Sequence, residues 1–153
     1  MTMHAPVERV WDLVSDVTRI GEFSPETFEA EWADEAAEPG VGRRFRGHVR
    51  RNQRGPTYWS ECVVTDHEPL RRFGFDVVVG GAPVNHWQYD LEPVDGADAT
   101  VVTESFRLAA SPMTRAYWAV LGRWRSGTNE RGMRTTLERI RDVVEAEASA
   151  ATG

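Results

Sequence analysis

Apolar residues first recur at three- and four-residue spacing: Val7, Val10, Trp11 and Val14 define one helix face. A helix over 6–16 follows, with Pro6 in its first turn, where a missing N–H is harmless. Val17 to Phe23 gives a short second helix, stopped by Ser24-Pro25. From Thr27 the period drops to two. Phe28, Ala30 and Trp32 alternate with Glu29 and Glu31, a strand with one wet face. Phe45, Gly47 and Val49 alternate with Arg44, Arg46, His48 and Arg50 in the next. The stretch 33–38 between them is rich in Ala and Glu and fits a helix as well as a loop, until Pro39-Gly40-Val41-Gly42 ends it. Further strands run over Tyr58–Asp66, through Phe73, Phe75, Val77 and Val79, and, after Gly80-Gly81, through Trp87, Tyr89 and Leu91. Asp95-Gly96 then turns the chain into Thr100–Leu108. About six strands joined by short turns make an antiparallel meander.

The last third, from Pro112 to about Ala148, has helical spacing, but its apolar stripe changes face. Met113, Tyr117, Leu121 and Trp124 form one stripe; Met133, Leu137, Ile140 and Val144 form another. Steps of about 100° per residue put the second stripe roughly opposite the first. Gly127 and Gly132 weaken the helix between them. A kink or break near Ser126–Asn129 is expected, with the later segment packed on the sheet.

At 153 residues the chain suits a single domain, 1–153, able to hold one core or one ligand cavity. All 18 Lys+Arg are arginine. Without lysine there is no Schiff-base chemistry, no pyridoxal-phosphate anchor and no Walker A loop. Cys62 stands alone, which rules out an internal disulfide and a multi-thiolate metal site. His4, His48, His67 and His86 lack metal-ligand spacing. No apolar run reaches the roughly 18 residues of a membrane span, and the first residues lack a signal-peptide pattern. A cytoplasmic protein without metal or cofactor is expected. Basic and aromatic residues cluster at Arg43, Arg44, Arg46, Arg50, Arg51, Arg54, Tyr58 and Trp59, a composition that also suits single-stranded nucleic acid. The net charge of -6 argues against that partner. So does the pairing of Glu29 and Glu31 with Arg44 and Arg46 on one face, which sets opposite charges across strands.

Three short motifs, in order, are similar to those of the START-like helix-grip (SRPBCC) superfamily that includes polyketide cyclase/dehydrase-type proteins. Ala5-Pro6-Val7-Glu8-Arg9-Val10-Trp11 resembles its Ala-Pro-x-x-x-Val-Trp helix start. Gly40-Val41-Gly42-Arg43-Arg44-Phe45-Arg46-Gly47 resembles its Gly-x-Gly-x-x-Phe-x-Gly strand, and Glu68-Pro69-Leu70-Arg71-Arg72-Phe73-Gly74-Phe75 its turn into a strand. The resemblance covers nearly the whole chain. It implies an α+β fold: a curved antiparallel sheet of six or seven strands around a long C-terminal helix, with two short helices near the N-terminus and an apolar cavity inside. It implies no single function, since members include cyclases, hydrolases, lipid carriers and simple binders. One departure concerns the first strand, for which only five residues precede Pro6. A stunted strand would leave a sheet edge open to a second copy of the chain, so a homodimer is among the expectations.

Within such a cavity, alternation places Tyr58 and Ser60 on one face, Asn85, Trp87 and Tyr89 on another, and Phe75 beside them. Cys62 falls inward as a small hydrophobe. These residues supply an apolar wall with a few polar handles, as a small-molecule pocket requires. Met133, with Asn129 and Glu130 close to its face, would border the cavity from the last helix. Glu104 shares a face with Val102, Phe106 and Leu108, but both faces of that strand carry a valine, so its direction is open. Inward, burial would raise its pKa and let it orient a hydroxyl or amine of the ligand or move a proton. Two functions remain: binding of a small hydrophobic or aromatic molecule as a carrier or sensor, or cofactor-independent cyclisation or dehydration of a polyketide-like chain. The absence of an inward histidine favours binding.

Overall fold

The computed structural model describes residues 1–50, 55–109 and 112–152, with side chains described outside 112–129 and 152. Seven strands form one antiparallel sheet in the order β1-β7-β6-β5-β4-β3-β2. They are β1 (Thr2–Met3), β2 (Thr27–Trp32), β3 (Arg44–Val49), β4 (Tyr58–Glu68), β5 (Arg72–Val79), β6 (Ala82–Pro93) and β7 (Thr100–Leu108). The helices are α1 (Val7–Ser15), α2 (Ile20–Phe23) and the long α3 (Pro112–Thr152), with a 3₁₀ turn over Val17–Arg19 ahead of α2. This is the expected α+β architecture: a seven-stranded antiparallel sheet, two short N-terminal helices and one long C-terminal helix.

Local chemistry explains the joints. The Asp16 carboxylate accepts from the Thr18 N–H at 3.0 Å and so opens the 3₁₀ turn. Gly80 and Gly81, with φ of 59° and 81°, make the two-residue turn that returns β5 into β6. Two consecutive positive φ values match the twist of a hairpin, and glycine reaches them without strain. The stretch 33–38 is a loop: Asp34 caps it through the Ala36 N–H at 2.9 Å, and no helix forms.

Three expectations need correction. Alternation groups Phe28 with Ala30 and Trp32, but β2 bulges between Thr27 and Glu29. Phe28 is therefore turned out, 45% exposed, with its ring 4.4 Å from that of His48. A second bulge, between Val77 and Val78, breaks the alternation of β5 and leaves Val79 67% exposed while Val78 is buried. Finally, of the kink or break expected near Ser126–Asn129, the break does not occur: α3 runs as one element through 126–129, because a helix tolerates a single glycine at about 1 kcal/mol.

The core lies between the inner face of the sheet and the helices. Leu91 and Val102 face each other across β6 and β7 and are buried together with Leu13, Phe73, Ile140 and Val144. Ion pairs fasten α3 from outside this core: Arg19 bridges Glu147 at 2.6 Å and Glu22 at 2.7 Å. The Arg139 guanidinium donates to the Ser24 carbonyl at 3.2 Å, fixing α3 against the corner between α2 and β2.

Candidate functional site

The interior closes where large side chains oppose one another and opens where small ones do. Along α3, Val144 and Ile140 fill the core, but the same helical row continues through Thr136 to Gly132. Opposite them β3 and β4 carry Gly47, Ser60 and Cys62. The space left between is a cavity of about 1140 Å³. A Cβ built on Gly132 would meet no atom within 4 Å, so this side of the helix faces open volume. Aromatic side chains from Phe45, Phe75, Trp87, Tyr89 and Phe106 form much of the wall. Phe45 and Phe75 meet edge to face at 5.1 Å, and Trp87 lies 4.7 Å from Phe106, its direct partner across β6 and β7.

The structure brings Tyr58, Ser60, Phe75, Asn85, Trp87, Tyr89 and Glu104 to this one cavity. Met133 does not border it. One residue further on than Gly132, it is turned by about 100° around the helix axis. The side chain of Asn129 lies outside the described residues. Gly132, Thr135 and Thr136 take the place expected for Met133. An apolar stripe passes over them because none is apolar. The available signal was a glycine within a long helical pattern, a residue that weakens a helix unless space or packing needs it.

Glu104 faces inward. It pairs with Tyr89 across β6 and β7, next to the closed core at Leu91 and Val102. The Tyr89 hydroxyl donates to Glu104 Oε1 at 3.1 Å, while Oε2 is buried with no hydrogen-bond partner among the described residues. Burial pushes the Glu104 carboxyl up to about 8, although the hydrogen bond from Tyr89 works in the opposite direction. Burial, and then the neighbouring carboxyl, push the Tyr89 hydroxyl well above its ordinary range. At neutral pH the carboxyl is mostly protonated. The proton belongs on Oε2, because Oε1 already accepts from Tyr89. The acid O–H thus sits in the cavity wall, with Oε2 itself covered. It suits a carbonyl oxygen on a ligand better than the hydroxyl or amine donor that an ionised carboxylate would take. Asn85 Oδ1, on another cavity-lining residue, is likewise buried without a partner among the described residues. Cys62 also lines the cavity, and burial raises its thiol to about 12, so it stays protonated.

The outer face is polar and internally paired. Arg46 forms an ion pair with Glu31, and Arg44 lies 3.7 Å from Glu61. Arg43, Arg46 and Arg50 stack over Trp32, Trp59 and Phe28 at 3.8, 4.7 and 5.4 Å. The described part of the arginine cluster is thus engaged within the protein; Arg51 and Arg54 lie outside the described residues. On the neighbouring strands His86 joins Asp76 at 2.9 Å and Gln88 at 3.3 Å. Gln88 and Arg72 both donate to Asp90. Among the described residues, no helix is long and apolar enough to cross a membrane.

The fold has counterparts among solved structures. The di-domain ARO/CYC StfQ from the steffimycin biosynthetic pathway superposes with a TM-score of 0.68 at 17% identity, covering 96% of this chain and 44% of that one. The chain therefore spans less than half of that protein. The Zhui aromatase/cyclase from Streptomyces sp. R1128 gives 0.66 at 22% identity, covering 100% and 94% of the two chains. Likeness at these identities shows the fold. The Polyketide_cyc-like protein Cgl2372 from Corynebacterium glutamicum is 32% identical, with a TM-score of 0.60 and coverage of 96% and 89%. No curated protein matches the chain. The family model described as polyketide cyclase / dehydrase and lipid transport matches residues 1–145. With the helix-grip arrangement, the cavity and this match over nearly its whole length, the chain belongs to the polyketide cyclase/dehydrase and lipid transport family.

Proposed function

We propose that the protein binds a small, largely aromatic molecule in the cavity and holds an oxygen of that molecule through Glu104, serving as a carrier or sensor. The observation that carries this reading is the buried Glu104 Oε2, without a hydrogen-bond partner among the described residues, on a side chain in the lining of an aromatic-walled space. A buried polar atom without a partner is destabilising by about 1–3 kcal/mol, and a ligand that supplies the partner recovers that energy. Apolar contact with Phe75, Trp87 and Phe106 supplies the rest. Loss of about 60 Å² of ring contact in Trp87→Ala, at about 25 cal/mol per Å², weakens binding about tenfold. Titration of wild type and Trp87→Ala with 2-acetylnaphthalene, followed by calorimetry, tests this. Equal affinities would place the ligand elsewhere, and no binding to the wild type would sink the reading.

The protonation state of Glu104 favours a second reading, a cofactor-independent cyclase or dehydratase acting on a polyketide-like substrate. A carboxyl that keeps its proton to about pH 8 is matched to proton transfer near neutrality. In a dehydration, Oε2–H would protonate the departing hydroxyl of a β-hydroxy ketone, and the carboxylate so formed would take up the α-proton, giving an enone and water and restoring the acid. The similarity to aromatase/cyclases supports this chemistry only by analogy. Enone absorbance from 4-hydroxy-4-phenylbutan-2-one, compared between wild type and Glu104→Gln, separates catalysis from binding alone. Identical rates with and without protein would exclude the enzyme reading for this substrate class.

A further inference from the structure

An ionised carboxylate persists in a protein interior only where hydrogen bonds, opposite charge or water stabilise it. Glu104 has little of the first two. Its Oε1 accepts from the Tyr89 hydroxyl at 3.1 Å, and its Oε2 is buried with no partner among the described residues. Tyr89 on β6 is itself buried and keeps its own proton, so it lends one hydrogen bond and no charge. The other titratable or charged residues of the described lining are Glu26 ahead of β2, Tyr58, Glu61 and Cys62 on β4, and Arg131 on α3. None of them moves the Glu104 carboxyl; burial and the Tyr89 hydrogen bond do. What remains is the content of the cavity, about 1140 Å³ in whose wall this side chain stands. Water in that space polarises toward a charge a few ångströms behind the wall, because Coulomb interactions pass through a thin covering layer. An apolar molecule in its place does not.

Resting on the reading of the cavity as a ligand pocket, we propose that occupancy of the cavity by an uncharged apolar ligand and protonation of Glu104 are linked: the pocket fills with uptake of one proton from solvent and empties with its loss. The sign follows from solvation. Filling the cavity removes water that stabilises the ionised carboxyl and takes little from the protonated one, so the loaded protein holds the proton more firmly than the free protein. Linkage is reciprocal, and the protonated protein therefore binds the ligand more tightly than the ionised one by the same factor. A rise of about one pH unit on loading makes that factor about tenfold. The free carboxyl lies at about 8. Well below that value both forms are protonated and affinity does not depend on pH. Above it the free protein must first regain its proton, so affinity falls, then levels off once the loaded form also ionises. No contact between the ligand and Oε2 is required.

The experiment titrates the whole protein with 2-acetylnaphthalene, which has no titratable group, by calorimetry in paired buffers of low and high ionisation enthalpy: borate and Tris at about pH 8.5, phosphate and imidazole at about pH 6. The difference in heat within a pair counts the protons taken up per ligand. Wild type should take up about half a proton at pH 8.5 and none at pH 6, and should bind about eightfold more weakly at pH 9.5 than at pH 6. In Glu104→Gln, whatever its affinity, the uptake and the pH dependence should both vanish. Carbon-13 NMR of the glutamate carboxyls in wild type gives the same answer should that variant fail to fold: the one carboxyl titrating near 8 should move up by about one pH unit on loading. Equal heats in the two buffers at pH 8.5, an uptake that survives Glu104→Gln, or a carboxyl unmoved by the probe would overturn the linkage and leave the pocket reading standing. Failure of the probe to bind at any pH would overturn both.

Discussion

The raised pKa of Glu104 makes stability depend on pH in a direction opposite to that of most carboxylates. Its ordinary value is 4.5, and in the folded protein it is about 8. Below about 4.5 folded and unfolded chains both hold the proton, and the group does not discriminate between them. Between about 4.5 and 8 the folded chain keeps its proton while the unfolded chain has released it. The unfolded state then binds fewer protons, so stability falls as pH rises. Each pH unit of this window is worth about 1.4 kcal/mol, which sets a ceiling of about 5 kcal/mol. Water entering the cavity lowers the real figure, and about half of that ceiling is expected. Glu104→Gln keeps an acceptor for the Tyr89 hydroxyl and cannot titrate. Urea unfolding followed by tryptophan fluorescence, at pH values from about 5 to 9, should show the variant gaining on wild type by about 2–3 kcal/mol toward the alkaline end. Subtracting the two curves removes every other titrating group. Parallel curves across the whole range would mean that Glu104 is ionised and solvated, and the inward acid would be lost with it.

Other expectations concern the small residues. Gly132→Ala should stabilise the protein by about 1 kcal/mol, because alanine favours the helix and its methyl meets open space; thermal melting reads this. Gly132→Leu should leave the melting temperature near that of wild type but weaken the binding of 2-acetylnaphthalene at least about tenfold by filling the cavity. Gly21→Ala should do the reverse of Gly132→Ala. Its Cβ would lie 2.3 Å from the Phe28 carbonyl oxygen, so α2 must move off β2, with a loss of about 2 kcal/mol or more in urea unfolding.

Periodicity carried the fold because burial acts on whole faces. The alternation in Phe45–Val49 and Trp87–Leu91, and the helical row ending at Ile140 and Val144, each had one dry side that sequence displays directly. It failed at Phe28 and Val79, where a bulge adds one residue and exchanges the faces, something no residue type announces. The direction of Glu104 was undecidable from its own strand, since Val101 and Val102 mark both faces. Its partner Tyr89 settles it, and a cross-strand register is a long-range fact. Met133 went astray for a different reason. Apolar patterning finds what fills space, whereas the cavity side of α3 is defined by Gly132 and two threonines, which leave space empty.

That emptiness has a consequence for how such a protein can change. Ser60, Cys62 and Gly132 are small residues on the cavity, and at Gly132 an added side chain would meet open space and favour the helix. A lineage selected only for persistence would fill the gap step by step, each step neutral or favourable for folding and adverse for binding. Conversely, exchanging one small residue for another around the same rigid core reshapes the cavity with little change in stability. New ligand preferences are therefore reachable by single substitutions, and a consensus-style stabilisation of this protein should leave these positions untouched.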